Sequence, residues 1–90
     1  MSTGEAVRNR IAVKLDAAFS PARLEVVDES ENHRGHAGWR PGGATHFRVR
    51  IGAAAFAGKS RVQRHRMIND ALADELNNGI HALAIEAEPA

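Results

Sequence analysis

The chain has 90 residues, enough for one small domain with a single core of helices and sheet. Its 12 Lys and Arg residues nearly balance 11 Asp and Glu, so a net charge of +1 gives no general attraction to nucleic acid. It has no cysteine, which excludes disulfides and thiolate ligands, and no signal-like or membrane-length apolar segment, so we expect a soluble, cytoplasmic protein.

The first predicted element is an amphipathic helix. Ser2 and Glu5 can form a capping box at its start. Apolar residues then recur at helical spacing until Ser20-Pro21 ends the run: Val7, Ile11, Leu15, Ala18 and Phe19. The pattern predicts a helix with one buried stripe.

Two strands are predicted next. Segment 24–28 places Leu24 and Val26 on one face, and segment 45–51 alternates strictly between apolar and polar residues. In an antiparallel hairpin the outward acids of the first strand oppose the outward bases of the second: Glu25 and Glu29 with Arg48 and Arg50. Helices should therefore cover only the other face of the sheet.

The connection between these strands, residues 29–44, is far longer than the two to five residues that a hairpin needs. Loops of that length are usually functional or disordered. This one contains His33, His36, Arg34, Arg40 and Trp39, the only tryptophan. Trp39 either folds back onto the core or anchors a partner.

The second half begins with a short helical turn that places Phe56 in the core, followed by a helix. Ser60 and Gln63 form a capping box at the helix start, and Asn77-Asn78-Gly79 ends it. One face is predicted to be buried: Val62, Ile68, Leu72 and Leu76, with His65 and Asn69 inside it. Basic residues crowd the first turns, where the helix dipole disfavours cations: Lys59, Arg61, Arg64 and Arg66. This violation suggests an anionic partner.

The last predicted element is a strand, Ile80 to Ile85, with His81, Leu83 and Ile85 on one face and a frayed tail from Glu86. A right-handed helical crossover makes this strand parallel to the second and leaves the second central. We predict an α+β fold of αββααβ order, a three-stranded mixed sheet with helices on one face, as in type II KH-like domains. A single domain spans residues 1–90, with an ordered core of about 4–87.

Enzymatic chemistry is not expected. A Walker motif ending at Lys59-Ser60 needs its first glycine where Ala53 stands, so we interpret those residues as a helix cap. The turn between Phe56 and Ser60 holds one glycine, whereas the KH clamp for nucleic acid needs a GXXG sequence. No serine has a recognisable base and acid.

The histidines carry the more informative pattern. His33 and His36 lie in the long loop, and His81 opens the last strand. Since parallel strands begin at the same edge of a sheet, we expect His81 and the loop histidines at one end of the domain. Two imidazoles there could form a metal pair completed by a partner's ligands. His46 is interpreted as structural or surface.

The sequence resembles the BolA family over nearly the whole chain. The matching segments are Leu24 to Ser30, Thr45 to Phe47, Phe56 to Ser60, Arg64 to Arg66, Leu72 to Leu76 and Ile80 to Ile85. The resemblance implies the αββααβ fold and a partnership with monothiol glutaredoxins, sharing a two-iron two-sulfur cluster in iron–sulfur trafficking or iron regulation.

Within that resemblance, His81 matches the near-constant ligand of the final HALAI segment. His33 matches the second ligand in the hairpin loop, and His36 competes for that role. Cysteine and glutathione sulfurs would come from the partner, so no cofactor is expected in the isolated chain, which we expect to be monomeric.

The family also carries a second function, a transcription regulator that binds promoter DNA. The residues in contact with phosphates would be Lys59, Arg61, Arg64 and Arg66, with Arg34 and Arg40 of the loop. The alternative is a solvated helix face with structural packing of residues 64–66. We favour the cluster adaptor, because a net charge of +1 attracts DNA weakly.

Overall fold

The computed structural model describes residues 3–30 and 45–90. Its helices and strands are α1 (Thr3–Phe19), β1 (Arg23–Asp28), β2 (His46–Gly52), α2 (Arg61–Ala71), α3 (Ala73–Asn77) and β3 (Ala82–Glu88), with a 3₁₀ turn at Ala54–Phe56. No helix in this part of the chain is long and apolar enough to cross a membrane. The element order is the predicted αββααβ.

The sheet has the order β1-β2-β3, with β1 antiparallel to β2 and β2 parallel to β3. Its register aligns apolar rows on one face, such as Val26 opposite Val49 and Val49 opposite Ile85. Those rows pack against the helices, while Arg48 and Arg50 of β2 lie on the other face. The predicted α+β fold with a central second strand and helices on one face is therefore confirmed.

The core contains residues from the helices, the sheet and the 3₁₀ turn. Its largest fully buried side chains are Phe47, Phe56, Ile11, Leu15, Ile68 and Leu72. As predicted, the 3₁₀ turn buries Phe56, whose ring centroid lies 5.0 Å from that of Phe19 at the end of α1. Burying a side chain of this size stabilises the fold by about 1.5–3 kcal/mol.

Helix α1 begins at Thr3, and Ser2 of the predicted capping box lies outside the described residues. Ile11 and Leu15 are fully buried as predicted, but Ala18 is exposed and does not belong to the stripe. The helix ends where expected, with Ser20 at a positive φ of 46° before Pro21. A left-handed residue followed by proline cannot continue the helix.

The capping box of α2 is present. The Gln63 N–H donates to Ser60 Oγ at 3.1 Å, and the Ser60 N–H donates to Gln63 Oε1 at 2.8 Å. At the far end Gly79 has the predicted positive φ, 113°. The prediction of one continuous helix between these points was wrong, because Leu72, with φ −107° and ψ 19°, separates α2 from α3.

The predicted inward face of α2 was also partly wrong. Ile68 and Leu72 are fully buried, but Val62 is 58% exposed, Asn69 is exposed and His65 is half-buried. At about 100° per residue, Val62 and Asn69 lie about 100–120° around the helix from Ile68. The observed inward stripe is instead completed by Met67 and Ala71, which pack against the core.

Helix α3 follows the break at Leu72 and contacts α1. In α3 the Glu75 side chain is buried, and its Oε2 lies 2.8 Å from Lys14 Nζ of α1. Lys14 Nζ also donates a hydrogen bond to Glu75 Oε1 at 3.0 Å, and this bond and the charge of Glu75 raise the pKa of Lys14. The ion pair thus fastens α3 to α1 while compensating the buried carboxylate.

Strand β3 extends through Glu88, so the tail predicted to fray at Glu86 is part of the sheet. The Ala53 N–H donates to the Glu88 carbonyl at 3.1 Å, which holds the end of β3 beside the chain after β2. Hydrophobic alternation could not reveal this extension, because its outward residues are charged and bind other charges.

Those charges form a charge ladder on the open face, made of Glu25, Glu29, Arg48, Arg50 and Glu86. The predicted cross-strand pairs are present, Arg50 Nη1 to Glu25 Oε1 at 2.8 Å and Arg48 Nε to Glu29 Oε2 at 3.1 Å. Glu86 Oε2 joins them, accepting from Arg48 at 3.0 Å and Arg50 at 3.2 Å. These two hydrogen bonds lower the pKa of the Glu86 carboxyl.

Candidate metal-ligand site

His81 lies immediately before β3, at the end of the domain where the hairpin loop is attached. Its N–H donates to the Thr45 carbonyl at 2.7 Å, and the next N–H, of Ala82, donates to the same oxygen at 3.1 Å. The strand start predicted at Ile80 was two residues early, because β3 begins at Ala82. His81 is exposed, whereas Leu83 and Ile85, which were predicted to share its face, are half-buried. Its backbone is therefore fixed while its imidazole is accessible.

The ends of the hairpin loop meet at this site. Ser30 closes the chain after β1, Thr45 precedes β2, and the register aligns His46 with Ala82 at the start of the parallel pair. His81 therefore lies beside the residues that flank the hairpin loop. The expected position of the loop histidines at the same end of the domain stays a prediction. His33, His36, Arg34, Trp39 and Arg40 lie outside the described residues.

A loop clamp holds these chain ends together. We use this name for Asp28, Ser30 and Thr45. The Ser30 hydroxyl donates to Asp28 Oδ1 and accepts from the N–H groups of Thr45 at 3.1 Å and His46 at 3.2 Å. A hydroxyl has one donor and two acceptor positions, so the hydroxyl of Ser30, a residue that is 1% exposed, has all its hydrogen bonds.

His46 is a neighbour of His81 that the sequence patterns did not predict. It is buried, its ring centroid lies 5.2 Å from that of His81, and the two rings are tilted by 54°. Its Nδ1 lies 2.9 Å from Thr45 Oγ1, a hydrogen bond whose donor depends on the imidazole tautomer. The register of the parallel strands could have predicted this contact. His46 is the first residue of β2 and His81 directly precedes β3, and parallel strands begin at the same edge of a sheet.

The described residues present one accessible imidazole at this end of the sheet, that of His81. In residues 3–30 and 45–90 no three His, Cys, Asp or Glu side chains form a group that could hold a metal. An exposed imidazole is nonetheless a suitable ligand for iron, including iron–sulfur centres in which histidines replace cysteines. The residues present therefore fit a group whose other ligands come from elsewhere.

The basic residues at and just before the start of α2 are of two kinds. Lys59, Arg61 and Arg66 are exposed and make no ion pair with any residue that the structure describes. Arg64 is half-buried, and its guanidinium donates to the Lys59 carbonyl at 3.1 Å and the Ala87 carbonyl at 2.7 Å. Arg64 therefore fastens α2 to β3, which favours the structural interpretation of that residue.

Comparison with known proteins identifies the family of the chain. The family model described as BolA-like protein matches residues 15–90. This chain belongs to the BolA family. Among solved structures, the BolA domain of SufE1 from Arabidopsis thaliana superposes with a TM-score of 0.82 at 49% identity, covering 91% of this chain and 90% of that one.

Curated relatives place this BolA-like chain among bacterial and eukaryotic proteins. It is 57% identical over 84% of its length to an uncharacterized protein in the cobS 5' region of Sinorhizobium sp., covering 83% of that protein. It is 47% identical over 88% of its length to the DNA-binding transcriptional regulator BolA of Escherichia coli, covering 71% of it. It spans only 22% of the SufE-like protein 1 of Arabidopsis thaliana, at 51% identity over 88% of this chain.

Proposed function

We propose that this BolA-like chain is a non-enzymatic partner of a monothiol glutaredoxin, with which it shares a two-iron two-sulfur cluster for iron–sulfur trafficking or iron regulation. The observation that carries the proposal is the exposed imidazole of His81 on a backbone held by two hydrogen bonds to Thr45. A fixed backbone with an accessible ring is what a ligand offered to another protein requires.

The proposal assigns one imidazole ligand to His81 and a second to His33, with His36 as the alternative. The clamp at Ser30 and Thr45 supports this pairing, because it attaches both ends of the loop beside His81. The partner's cysteine and glutathione sulfurs supply the remaining ligands, consistent with a chain that contains no cysteine. The cluster, when bound, supplies the iron that the imidazole nitrogens ligate.

The test is a titration of the chain into a monothiol glutaredoxin loaded with a glutathione-ligated two-iron two-sulfur cluster, followed by visible circular dichroism. The wild type should change the cluster spectrum and saturate at about one equivalent, since one imidazole donor set serves one cluster. His81→Ala should leave the spectrum unchanged, because it removes the ligand nitrogen.

His65→Ala is the matched control, since His65 is a half-buried histidine of α2 with no part in the proposed site. It should behave as the wild type does, and far-ultraviolet circular dichroism should show both variants folded. No spectral change with the wild type, or the same change with His81→Ala, would contradict the proposal.

A second candidate is DNA binding through α2. It is favoured by the name of the Escherichia coli relative and by the exposed cations Lys59, Arg61 and Arg66, which form no ion pair within residues 3–30 and 45–90. Arg64 contributes less to this candidate, because its guanidinium already binds two carbonyl groups. Glu86 and Glu88 line the groove between α2 and β3 beside Arg61. Because these carboxylates repel phosphates, DNA would contact α2 outside the groove.

This candidate is tested by fluorescence anisotropy with a random-sequence duplex of about 30 base pairs at several salt concentrations. If Arg61 and Arg66 each contact a phosphate, the double variant R61A/R66A should lower the slope of log K against log salt by about 2. Arg10→Ala, an exposed arginine of α1, is the control and should change little. Equal effects of both substitutions would reject a specific role for α2.

A further inference from the structure

The His81 ring does not stand alone at the edge of the sheet. An exposed side chain normally samples several rotamers, and ordering it when a partner binds weakens the interaction. Here the ring of His81 lies against that of His46, with 5.2 Å between centroids. Any rotamer that points away from His46 gives up this contact.

His46 is itself held from three directions. It belongs to the central strand β2, its N–H donates to Ser30 Oγ at 3.2 Å, and its Nδ1 lies 2.9 Å from Thr45 Oγ1. It is 5% exposed, so its ring has little freedom to turn. The His46 imidazole is therefore a rigid flat surface beside the exposed side chain of His81.

The same hydrogen-bond system fixes the backbone of His81. Thr45 contributes its side chain to His46 and its carbonyl to the N–H groups of His81 and Ala82. Thr45 thus holds both the His46 ring, which the His81 ring contacts, and the backbone of His81. Such double support is typical of the surroundings of a preorganised ligand.

We propose that His46 is a positioning residue that restricts the rotamers of His81 and holds its imidazole ready for the metal group. The inference rests on the proposed function for its purpose, but the restriction itself is a property of the cluster-free chain. It assigns a role to a buried histidine that the metal-ligand proposal does not use.

The primary test measures the χ1 rotamers of His81 in the cluster-free protein, from three-bond couplings between Cγ and the backbone nitrogen and carbonyl carbon. The wild type should show one dominant rotamer. His46→Ala should average the couplings, because it removes the surface, and His46→Phe should restore a single rotamer by replacing the ring. His46→Leu, which fills the space without a flat ring, serves as the test variant if the alanine variant does not fold.

The second measurement repeats the cluster titration with the same variants. His46→Ala should weaken binding about 3- to 10-fold, the range expected from ordering one side chain. At saturation its cluster spectrum should match the wild type's, because His81 remains a ligand. Loss of the spectrum would instead indicate that His46 is itself required as a ligand, and would overturn the positioning role.

The two proposals fail in different ways. If His81 couplings are the same in the wild type, His46→Ala and His46→Leu, the positioning inference is wrong whatever the cluster does. If the couplings change but the wild type never alters the cluster spectrum, the glutaredoxin proposal is wrong and the restriction of His81 stands as a feature of the apo protein.

Discussion

At the scale of single residues, polar groups in the interior organise the candidate site. Ser30 and Thr45 are almost completely buried, yet both are hydrogen-bonded around the base of the loop. Buried polar groups are costly unless every donor and acceptor has a partner. The clamp meets that condition at Ser30, and the site depends on it because it places His46 and His81 together.

Removing the Ser30 hydroxyl should therefore destabilise the domain. Ser30→Ala leaves the N–H groups of Thr45 and His46 without their acceptor, and an unsatisfied buried donor costs about 1–3 kcal/mol. We expect a loss of about 2 kcal/mol or more in the free energy of unfolding, seen as a lower urea midpoint at unchanged slope.

Ser60→Ala is the comparison, because that hydroxyl accepts one N–H, from Gln63, at an exposed helix cap. Loss of such a cap costs about 1 kcal/mol. A smaller effect at Ser30 than at Ser60 would show that the clamp contributes little to stability.

At the scale of elements, the open face of the sheet is stabilised by charge rather than by apolar contact. The charge ladder crosses all three strands, with Glu86 of β3 between Arg48 and Arg50 of β2. Surface ion pairs are individually weak, but a network with shared partners adds up across a sheet. The ladder also explains why β3 continues beyond the apolar residues that identify it in the sequence.

The ladder predicts a pH dependence of stability. Arg48 and Arg50 lower the pKa of Glu86 below its ordinary value of 4.5, so folding favours the ionised carboxylate. The stabilisation is complete above about pH 5 and is lost as the pH falls through the folded-state pKa. In urea unfolding from pH 7 to about pH 3, Glu86→Gln should be less stable than the wild type at neutral pH and should lose less on acidification.

Asp70→Asn provides the control for this comparison. Asp70 is an exposed carboxylate of α2 that forms no ion pair with the described residues. Its substitution should leave the acid dependence parallel to that of the wild type. A Glu86→Gln curve that is also parallel to the wild type would contradict a stabilising role for the ladder.

At the scale of the whole molecule, the helices and the sheet are joined by contacts between distant parts of the sequence. Lys14 of α1 binds Glu75 of α3, and Arg64 of α2 binds the Ala87 carbonyl of β3. In each contact a long cationic side chain binds a group of another element within the fold. Arg64 in particular shows why a basic helix face is a poor guide to nucleic-acid contacts, since one of its cations has a structural partner.

The sequence alone determined the fold class of this BolA-like chain, because the patterns that predict each helix and strand lie within short segments of the sequence. Alternation predicted β1 and β2, the Ser60 and Gln63 pair predicted the start of α2, and the crossover rule predicted a central β2. The outward charges of the hairpin and the placement of His81 at the loop base followed from strand register, which the same patterns define.

Only the tertiary structure decided which side chains meet. Periodicity did not reveal the break at Leu72 or the ion pair by which α3 contacts α1, and the exposure of Val62 depends on which side of α2 faces the sheet. The contact between His46 and His81 joins residues far apart in the chain, one buried and one exposed. Periodicity reports the average direction of an element, whereas such pairings depend on the packing between elements.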